Sequence, residues 1–375
     1  MSSETLSSPI LCAEVAIVGA GIAGSVLAHV LARQGVDAIV VDLHATHPSD
    51  FRCEKFNPDQ IELLRELGVL DCMEATNAKG QGDLRQRGLR YETMVNAVRG
   101  DWSDAVTFIE ARVLDIATGP DLQRLTLSTG EMLETRLVVL ATGQSQRLRE
   151  GLGLHRRMLR ERLSVSIGFT IEPEAHRAQP LGPFTHHGER AGDHMAFASL
   201  FPMDGGFRVN VFSYHDPREG WVRGFKDDPV GRLCEVMPSL KAALADVRLV
   251  GPVEIRGTDL YATDGCVQDG VVLIGDAYRS SCPATAMGVS RALTDVRQLA
   301  FAHLPRWLAT PGLGEGKIAQ FYADPAKLAV DGLSTRRSER GRSLATMTTP
   351  RWRAYRALAG VRRGARRIAA MGRAA

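Results

Sequence analysis

The sequence lacks the features that would place the protein in a membrane, in an oxidising compartment or around a structural metal ion. No run of about eighteen apolar residues occurs, so we expect no membrane-spanning helix. The six cysteines include no C-x-x-C pair, and the ten histidines show no metal-ligand spacing, which predicts free thiols and no metal site. The N-terminus has neither a basic start nor an apolar stretch, so we expect a cytoplasmic protein without a secretory signal.

Aromatic residues are scarce at 6%, whereas the 44% hydrophobic and 24% charged residues are ordinary for a globular protein. A length of 375 residues allows two domains with substantial cores. Acidic residues are absent from residues 341–375, which hold nine arginines. Subtracting these nine charges from the overall +3 leaves about −6 for the remainder, so the charge is strongly asymmetric.

The arginine-rich tail admits two interpretations. Basic segments gain affinity for anionic membranes and for nucleic acids. However, Arg362 falls on the same helical face as Trp352 and Tyr355, and several glycines weaken the predicted helix. We therefore expect a solvated or partly docked extension, with a weak peripheral membrane contact as the alternative and no specific nucleic-acid binding.

The first motif is a glycine-rich turn between two apolar runs. Residues 14–42 read EVAIVGAGIAGSVLAHVLARQGVDAIVVD, which is typical of strand, turn, helix, turn and strand. Gly19, Gly21 and Gly24 form G-x-G-x-x-G, whose glycines permit a tight turn, the approach of a pyrophosphate and close helix packing. Asp42 ends the second strand, where a carboxylate can bind the ribose hydroxyls of an adenosine. This motif indicates a dinucleotide site and leaves NAD and FAD open.

The segment after Asp42 favours FAD. In an NAD dehydrogenase, strands and helices usually continue in regular alternation, whereas here a loop precedes a helix that Asn57 or Asp59 can cap. Arg52 and Lys55 lie in this loop, where a cation can meet a pyrophosphate or a nicotinamide cofactor. Solvated loop charges are the alternative for both residues.

A second glycine-containing segment, VVLIGDAYRSSCPATAMGVSRALTDV, occupies residues 271–296. Asp276 follows a buried strand, where its carboxylate can accept a hydrogen bond from a sugar hydroxyl. Pro283 fixes the loop and removes a backbone donor. The N–H groups near residues 287–289 open a helix, whose partial positive charge stabilises an anion.

With these two segments, the chain resembles the class A flavoprotein monooxygenases, the family of para-hydroxybenzoate hydroxylase. The resemblance covers roughly residues 14–300 in architecture and is specific at the two glycine motifs. It implies an α/β fold with a Rossmann-like FAD-binding domain, an inserted and mainly antiparallel β-sheet substrate domain, and a C-terminal helical, arginine-rich extension. The implied boundaries are 10–155 and 260–310 for the discontinuous FAD-binding domain, 156–259 for the substrate domain and 311–375 for the extension.

The resemblance also implies FAD as cofactor and NAD(P)H as a transient co-substrate. The predicted FAD-binding residues come from both glycine motifs and from loops between them: Gly19, Gly21, Ile22, Ala23, Gly24, Asp42, Arg52, Arg90, Val113, Gly275, Asp276, Pro283, Met287, Gly288 and Val289. No catalytic side chain is assigned, because the redox chemistry belongs to the cofactor.

The chain departs from the family pattern at several positions. Arg279 stands where the family usually has histidine, and Ser290 where it has asparagine. In the middle D-G segment, Thr142 replaces the aspartate and Gln146 the serine, whereas the glycine and Arg149 are retained. Because that segment is tied to nicotinamide use in the family, the choice between NADH, NADPH and another reductant stays open.

The implied reaction is hydroxylation or epoxidation of a small organic substrate, aromatic or from natural-product metabolism, with NAD(P)H and O₂ and through a flavin C4a-hydroperoxide. A reductase similar to geranylgeranyl reductases is the alternative, because Cys53 follows the second strand as a cysteine does there. A flavin-dependent halogenase is disfavoured, since no W-x-W-x-I-P signature occurs. Asp276 disfavours a non-catalytic scaffold resembling the GDP-dissociation inhibitors.

Overall fold

The computed structural model describes residues 10–76, 84 and 88–371, with side chains described up to residue 361. Within these ranges the chain divides into two compact units. The first contains the residues up to Glu161, Asp259–Cys282 and Ala286–Ser334. The second contains Arg162–Thr258, Pro283–Thr285 and the residues from Thr335 onward.

The strands alternate with helices through the first part of the chain and are more often consecutive in the middle. The strands are β1 (Ile10–Val18), β2 (Ala38–Asp42), β3 (Cys53–Glu54), β4 (Leu89–Arg90), β5 (Val106–Glu110), β6 (Val113–Ala117), β7 (Gln123–Leu127), β8 (Met132–Leu140), β9 (His155–Pro173), β10 (Phe184–His187), β11 (Met195–Met203), β12 (Gly206–Ser213), β13 (Val247–Asp264) and β14 (Val271–Leu273). The helices are α1 (Ile22–Arg33), α2 (Pro58–Glu66), α3 (Leu70–Ala75), α4 (Tyr91–Gly100), α5 (Arg147–Gly151), α6 (Gly220–Arg223), α7 (Pro229–Val236), α8 (Gly288–Arg297), α9 (Leu304–Leu308), α10 (Glu315–Tyr322), α11 (Pro325–Thr346) and α12 (Pro350–Met371). Short 3-10 helices occur at Gly224–Lys226, Pro238–Leu240, Gly275–Ala277 and Pro283–Thr285, and a π-helical segment at Gln298–His303.

The first unit is built on a sheet whose central strands are parallel. Strand β1 lies between β2 and β8 and is parallel to both, while β5 extends the sheet beyond β2. Strand β14 is parallel to the second half of β8, and the antiparallel pair β6–β7 joins the first half of β8. The continuous apolar runs of β1 and β2 suit this position, because a central parallel strand is covered on both faces.

Alternate residues of β1 face two different cores. Val15 and Ile17 pack with the helices α1, α2, α4 and α8 on one side of the sheet. Ala16 and Val18 pack on the other side with residues of β6, β7 and β8. Because successive side chains of a strand point to opposite faces, this short run anchors both layers. The carboxyl end of β1, where the glycine turn begins, is thereby fixed.

The second unit contains a sheet in the order β10-β11-β12-β9-β13, in which the first three pairings are antiparallel. The sequence Asp204-Gly205-Gly206 is typical of a hairpin turn, and it joins β11 to β12: Met203 pairs with Gly206, and both glycines have positive φ. One face of the sheet packs on α6 and α7 through residues such as Phe169 and Val209.

The C-terminal segment is helical, as predicted, and comprises α11 and α12. Trp352 and Tyr355 are half-buried, whereas Leu358 and Val361 are 48% and 70% exposed. None of the helices in the described ranges has the length and apolarity that a membrane crossing requires. The predicted α/β fold, with its Rossmann-like unit, antiparallel sheet and helical extension, is confirmed, while the membrane contact stays a prediction.

Candidate flavin site

Two of the three glycines in the turn after β1 have no room for a side chain. Gly19 has a φ of +97°, and a Cβ atom there would lie 2.6 Å from the carbonyl oxygen of Ala141. A Cβ atom on Gly24 would lie 1.9 Å from the carbonyl oxygen of Gly19. The turn and the first turn of α1 therefore pack backbone against backbone, as the sequence motif predicts.

The first turn of α1 offers hydrogen-bond donors to a ligand. Gly21 is its N-cap and, having no side chain, leaves the helix end open. The N–H of Ile22 donates to the Tyr91 hydroxyl at 3.2 Å, and the N–H groups of Ala23 and Gly24 have no acceptor among the described residues. Unpaired amides at a helix N-terminus fit a pyrophosphate in both hydrogen bonding and charge.

Asp42 closes this turn from the neighbouring strand. Its Oδ2 accepts a hydrogen bond from the N–H of Ala20 at 2.6 Å, and its Oδ1 accepts one from the N–H of His44 at 3.1 Å. Arg99, from the last turn of α4, donates from Nε to the Ala20 carbonyl at 3.1 Å and from a terminal nitrogen to the His44 carbonyl at 2.6 Å. Asp42 and Arg99 thus hold the loop together, and the ribose contact of Asp42 stays a prediction.

Arg52 lies beside the same helix start. Its guanidinium is centred 3.5 Å from the ring centroid of Tyr91 and donates two hydrogen bonds to Asp50, at 2.9 and 2.7 Å. Burial opposes ionisation of Asp50, but the hydrogen bonds and charge of Arg52 outweigh it and lower the pKa of this carboxyl. Lys55, the other cation of the loop, is exposed. Arg52 therefore lies against Tyr91, whose hydroxyl accepts the hydrogen bond from α1, whereas Lys55 does not.

Arg52→Met is expected to raise the Kd for FAD about tenfold, since a charge-assisted hydrogen bond contributes roughly 1.5–3 kcal/mol. FAD is titrated with apoprotein, and binding is measured as the quenching of flavin fluorescence. Lys55→Met is the matched control, because it removes an exposed cation from the same loop and should leave the Kd unchanged. Equal losses in the two variants would contradict the assignment of Arg52.

The late glycine segment packs directly against the first one. Gly275 has a φ of +59°, and a Cβ atom there would lie 3.6 Å from the Cβ of Ala23. The Gln60 amide, on α2, donates to the carbonyl of Ala286 at 3.1 Å and to the Ser290 hydroxyl at 3.0 Å. Segments more than 200 residues apart in sequence thus form one continuous surface.

The late segment also presents unused hydrogen-bonding groups. The Asp276 carboxylate is half-buried and accepts no hydrogen bond from any described residue, while the Asp276 main-chain carbonyl accepts one from the Tyr261 hydroxyl at 2.7 Å. Helix α8 begins at Gly288 without a side-chain cap, and a Cβ atom on Gly288 would meet no atom within 4 Å. An acceptor for hydroxyl groups and an open helix N-terminus fit the ribityl chain and ring of a flavin.

The middle segment joins this site through Arg149. Its guanidinium is buried and donates to the carbonyl of Ala277 at 2.7 Å and to the carbonyl of Gln144 at 3.2 Å. Burial lowers the pKa of Arg149 from its usual high value, but the group stays a cation at neutral pH. The Thr142 hydroxyl, in place of the family's aspartate, is buried without a partner among the described residues.

Three other predicted residues make none of the contacts described above. Arg90 pairs with Cys53 between β4 and β3 and precedes the first residue of α4. Val113 is buried in β6, two residues after Ala111, whose N–H donates to the Asp42 carbonyl at 2.9 Å. Pro283 lies in a 3-10 helix that groups with the second unit. FAD contacts of all the predicted residues stay predictions.

Comparisons with known proteins agree with this geometry. The family described as FAD binding domain matches residues 12–113. The chain is 27% identical to the ubiquinone hydroxylase of Rhodospirillum rubrum over 328 residues, which cover 77% of this chain and 71% of that protein. It is 25% identical to the 3-demethoxyubiquinol 3-hydroxylase of Escherichia coli over 321 residues, 76% of this chain and 78% of that protein.

The crystal structure of the p-nitrophenol 4-monooxygenase of Pseudomonas putida shares the fold, with a TM-score of 0.67 and 16% identity over 92% of each chain. The glycine turn, the open helix ends and the free Asp276 carboxylate fit FAD, and the two hydroxylases above align with 77% and 76% of this chain. The chain therefore resembles the class A flavoprotein monooxygenases in sequence and in fold, and it is an FAD-dependent oxidoreductase.

Proposed function

We propose that the protein hydroxylates a small phenolic or quinol-like substrate with O₂ and NAD(P)H. In the balanced reaction, one oxygen atom enters a C–H bond of the substrate and the other leaves as water, while NAD(P)H supplies the two electrons. The observation that carries the proposal is the meeting of the two glycine segments around unused hydrogen-bonding groups.

Bound FAD would supply the chemistry, by accepting a hydride and by reducing O₂ for transfer of one oxygen atom. The amides of Ala23 and Gly24, with Arg52, would hold the pyrophosphate. The Asp276 carboxylate would accept hydrogen bonds from the ribityl chain. The N-terminus of α8 would stabilise negative charge on the reduced flavin ring, because a helix start carries roughly half a positive charge.

The sheet of the second unit carries polar groups that suit a polar aromatic substrate. The face of its sheet opposite α6 and α7 carries buried polar side chains, including Ser164, Ser166 and Thr170. On the same face the Arg208 guanidinium is 3% exposed and covers Gly168, where any side chain would overlap it. The Ser166 hydroxyl is buried without a hydrogen-bond partner among the described residues, so the hydroxyl group of a phenol suits this face better than an apolar group does.

The names of the relatives point to the same substrate class. Two are named as hydroxylases of ubiquinone and of 3-demethoxyubiquinol, and the crystal structure that shares the fold is of a nitrophenol monooxygenase. All three names specify a substrate with an oxygen-bearing ring. In its phenolate or quinol form such a ring is electron-rich and suited to accept an electrophilic oxygen atom, which is the transfer proposed here.

Purified protein reconstituted with FAD is expected to consume NAD(P)H several-fold faster when a suitable phenol or quinol is present. The measurement follows NAD(P)H absorbance and O₂ uptake together over a panel of such compounds, with mass spectrometry for ¹⁸O in the product. Incorporation of one ¹⁸O atom from ¹⁸O₂ supports the proposal. Alkene reduction without O₂ uptake, or protein that takes up no FAD, would overturn it.

A further inference from the structure

Four charged side chains lie buried together where α8 packs against α11. Arg291 and Asp295 come from α8, and Lys327 and Asp331 from α11. Their side chains are between 0% and 4% exposed. Burying four charges is costly unless each ion is paired and hydrogen-bonded. None of these residues holds FAD in the site described above, so the cluster needs another explanation.

The four groups alternate in sign. Lys327 Nζ donates to Asp295 Oδ1 at 2.7 Å, and Arg291 Nε donates to Asp331 Oδ1 at 2.6 Å. Lys327 Nζ also lies 3.6 Å from Asp331 Oδ2. Two cations and two anions therefore cancel, and each helix contributes one residue of each sign.

The cluster is connected to the flavin site through the backbone around Asp276. Asp295 Oδ2 accepts a hydrogen bond from the N–H of Gly275 at 2.9 Å. Arg291 donates from a terminal nitrogen to the carbonyl of Arg279 at 2.6 Å. The segment that presents the Asp276 carboxylate is thus held on both sides by the two α8 residues, and α11 holds those residues in turn.

The position of Arg291 gives the cluster a second effect. Arg291 follows Gly288 by three residues and lies one turn into the helix whose N-terminus is open. In a region without water, a charge acts over a longer distance than in solvent. A balanced cluster adds no net charge to the field at the helix N-terminus, whereas an unbalanced one adds a full charge close to it.

We propose that Lys327 and Asp331 are positioning residues of the flavin site: through Asp295 and Arg291 they fix the Gly275–Asp276 turn and keep the charge at the start of α8 balanced. This inference rests on FAD binding and extends it to residues of α11 that contact no ligand. It predicts effects of opposite sign for the two residues, which loss of packing alone does not produce.

The test measures the midpoint potential of the bound flavin, with xanthine oxidase and a reference dye. Lys327→Met leaves one excess negative charge and is expected to lower the potential, because a nearby anion disfavours the anionic reduced flavin. Asp331→Leu leaves one excess positive charge and is expected to raise it. Arg297→Met is the matched control: it removes a cation from the other end of α8, where Arg297 forms a partly exposed pair with Glu66 at 3.3 Å, and should not shift the potential.

The double variant Lys327→Met/Asp331→Leu separates charge from positioning. It removes one charge of each sign, and apolar replacement of a buried ion pair is often tolerated by the fold. Its flavin potential is expected to return close to that of the wild type, while its Kd for FAD rises roughly tenfold because Asp295 and Arg291 lose their charged partners on α11.

Shifts of the same sign in both single variants would overturn the proposal, as would a folded double variant with an unchanged Kd for FAD. The double variant decides the question if a single variant does not fold. A wild-type protein that binds no FAD would instead overturn the proposed function. Apoprotein titrations therefore distinguish the two failures without any measurement of activity.

Discussion

Gly24→Ala is expected to weaken FAD binding at least about a hundredfold. The added Cβ atom would lie 1.9 Å from the carbonyl oxygen of Gly19 and 3.2 Å from the Cβ of Ala141. The first of these atoms belongs to the backbone and cannot rotate away, so the start of α1 must move off the turn. That movement displaces the amides of Ala23 and Gly24, the groups proposed to hold the pyrophosphate. Overpacking of this kind also costs about 1–3 kcal/mol of stability.

The measurement is a fluorescence titration of FAD with apoprotein, combined with thermal unfolding of the apoprotein. We expect a Kd for FAD at least about a hundredfold higher than in the wild type, because several hydrogen bonds to one ligand are lost together. Gly100→Ala is the matched control, since a Cβ atom at this last residue of α4 meets no atom within 4 Å. Gly24→Ala protein that remains yellow with normal FAD occupancy would contradict this account of the turn.

The sequence was sufficient to predict the first β-α-β unit because each of its signals is local. The apolar run at residues 15–18 predicts a strand covered on both faces, and the structure confirms it. The cap of the next helix, α2, is also a local signal: Asn57, one of its two predicted caps, accepts a hydrogen bond from the N–H of Gln60 at 3.0 Å. Gly35 follows α1 with a φ of +70°, as a helix-ending glycine should.

Tyr91 and Arg99 could not be found in this way. They bond to Ile22 and Ala20 across 69 and 79 positions of sequence, so no local pattern connects them to the glycine turn. Their spacing of eight residues places them on one face of α4, but that face is identified only when α4 packs on α1. A tyrosine and an arginine in a predicted helix are otherwise typical of its surface.

The burial of Lys327 and Asp331 cannot be predicted from the sequence, for a different reason. Lysine and aspartate are almost never fully buried without partners, so sequence alone favours exposed positions for both. Their partners on α8 lie 32 and 40 positions earlier in the chain. The i, i+4 spacing within α11 predicts an ordinary surface ion pair, and only the packing of the two helices turns it into a buried cluster.

In the second unit, too, the local strand pattern can be predicted from the sequence, whereas the burial of its polar face cannot. The alternation of apolar and polar residues in FRVNVFSYHD, residues 207–216, predicts that Arg208 and Asn210 share one face of a strand, and the strand register confirms it. The alternation did not predict that this polar face is buried, since a polar face of an antiparallel sheet is commonly solvated. The burial of Arg208 is a property of the folded unit.

Asp276→Ala is expected to reduce FAD affinity strongly while leaving the apoprotein as stable as the wild type. The Asp276 carboxylate accepts no hydrogen bond from any described residue, so its removal costs the protein no described hydrogen bond. The turn itself is held by main-chain groups: the Asp276 carbonyl accepts from Tyr261, and the Gly275 N–H donates to Asp295. The loss of charge-assisted hydrogen bonds to the ribityl chain should raise the Kd for FAD about 10- to 100-fold.

Two matched variants make this result specific to the ligand. Asp264→Ala removes an exposed carboxylate that pairs with Arg157 at 2.9 Å, and should change neither FAD affinity nor apoprotein stability measurably. Asp295→Asn removes the buried partner of Lys327, and should lower apoprotein stability as well as FAD affinity, because a buried cation loses its counter-ion. Apoprotein melting temperatures and FAD titrations on the three variants therefore separate a ligand contact from a structural one. If Asp276→Ala binds FAD as the wild type does, the carboxylate has no ribityl contact; if it melts early, the group supports the apoprotein fold instead.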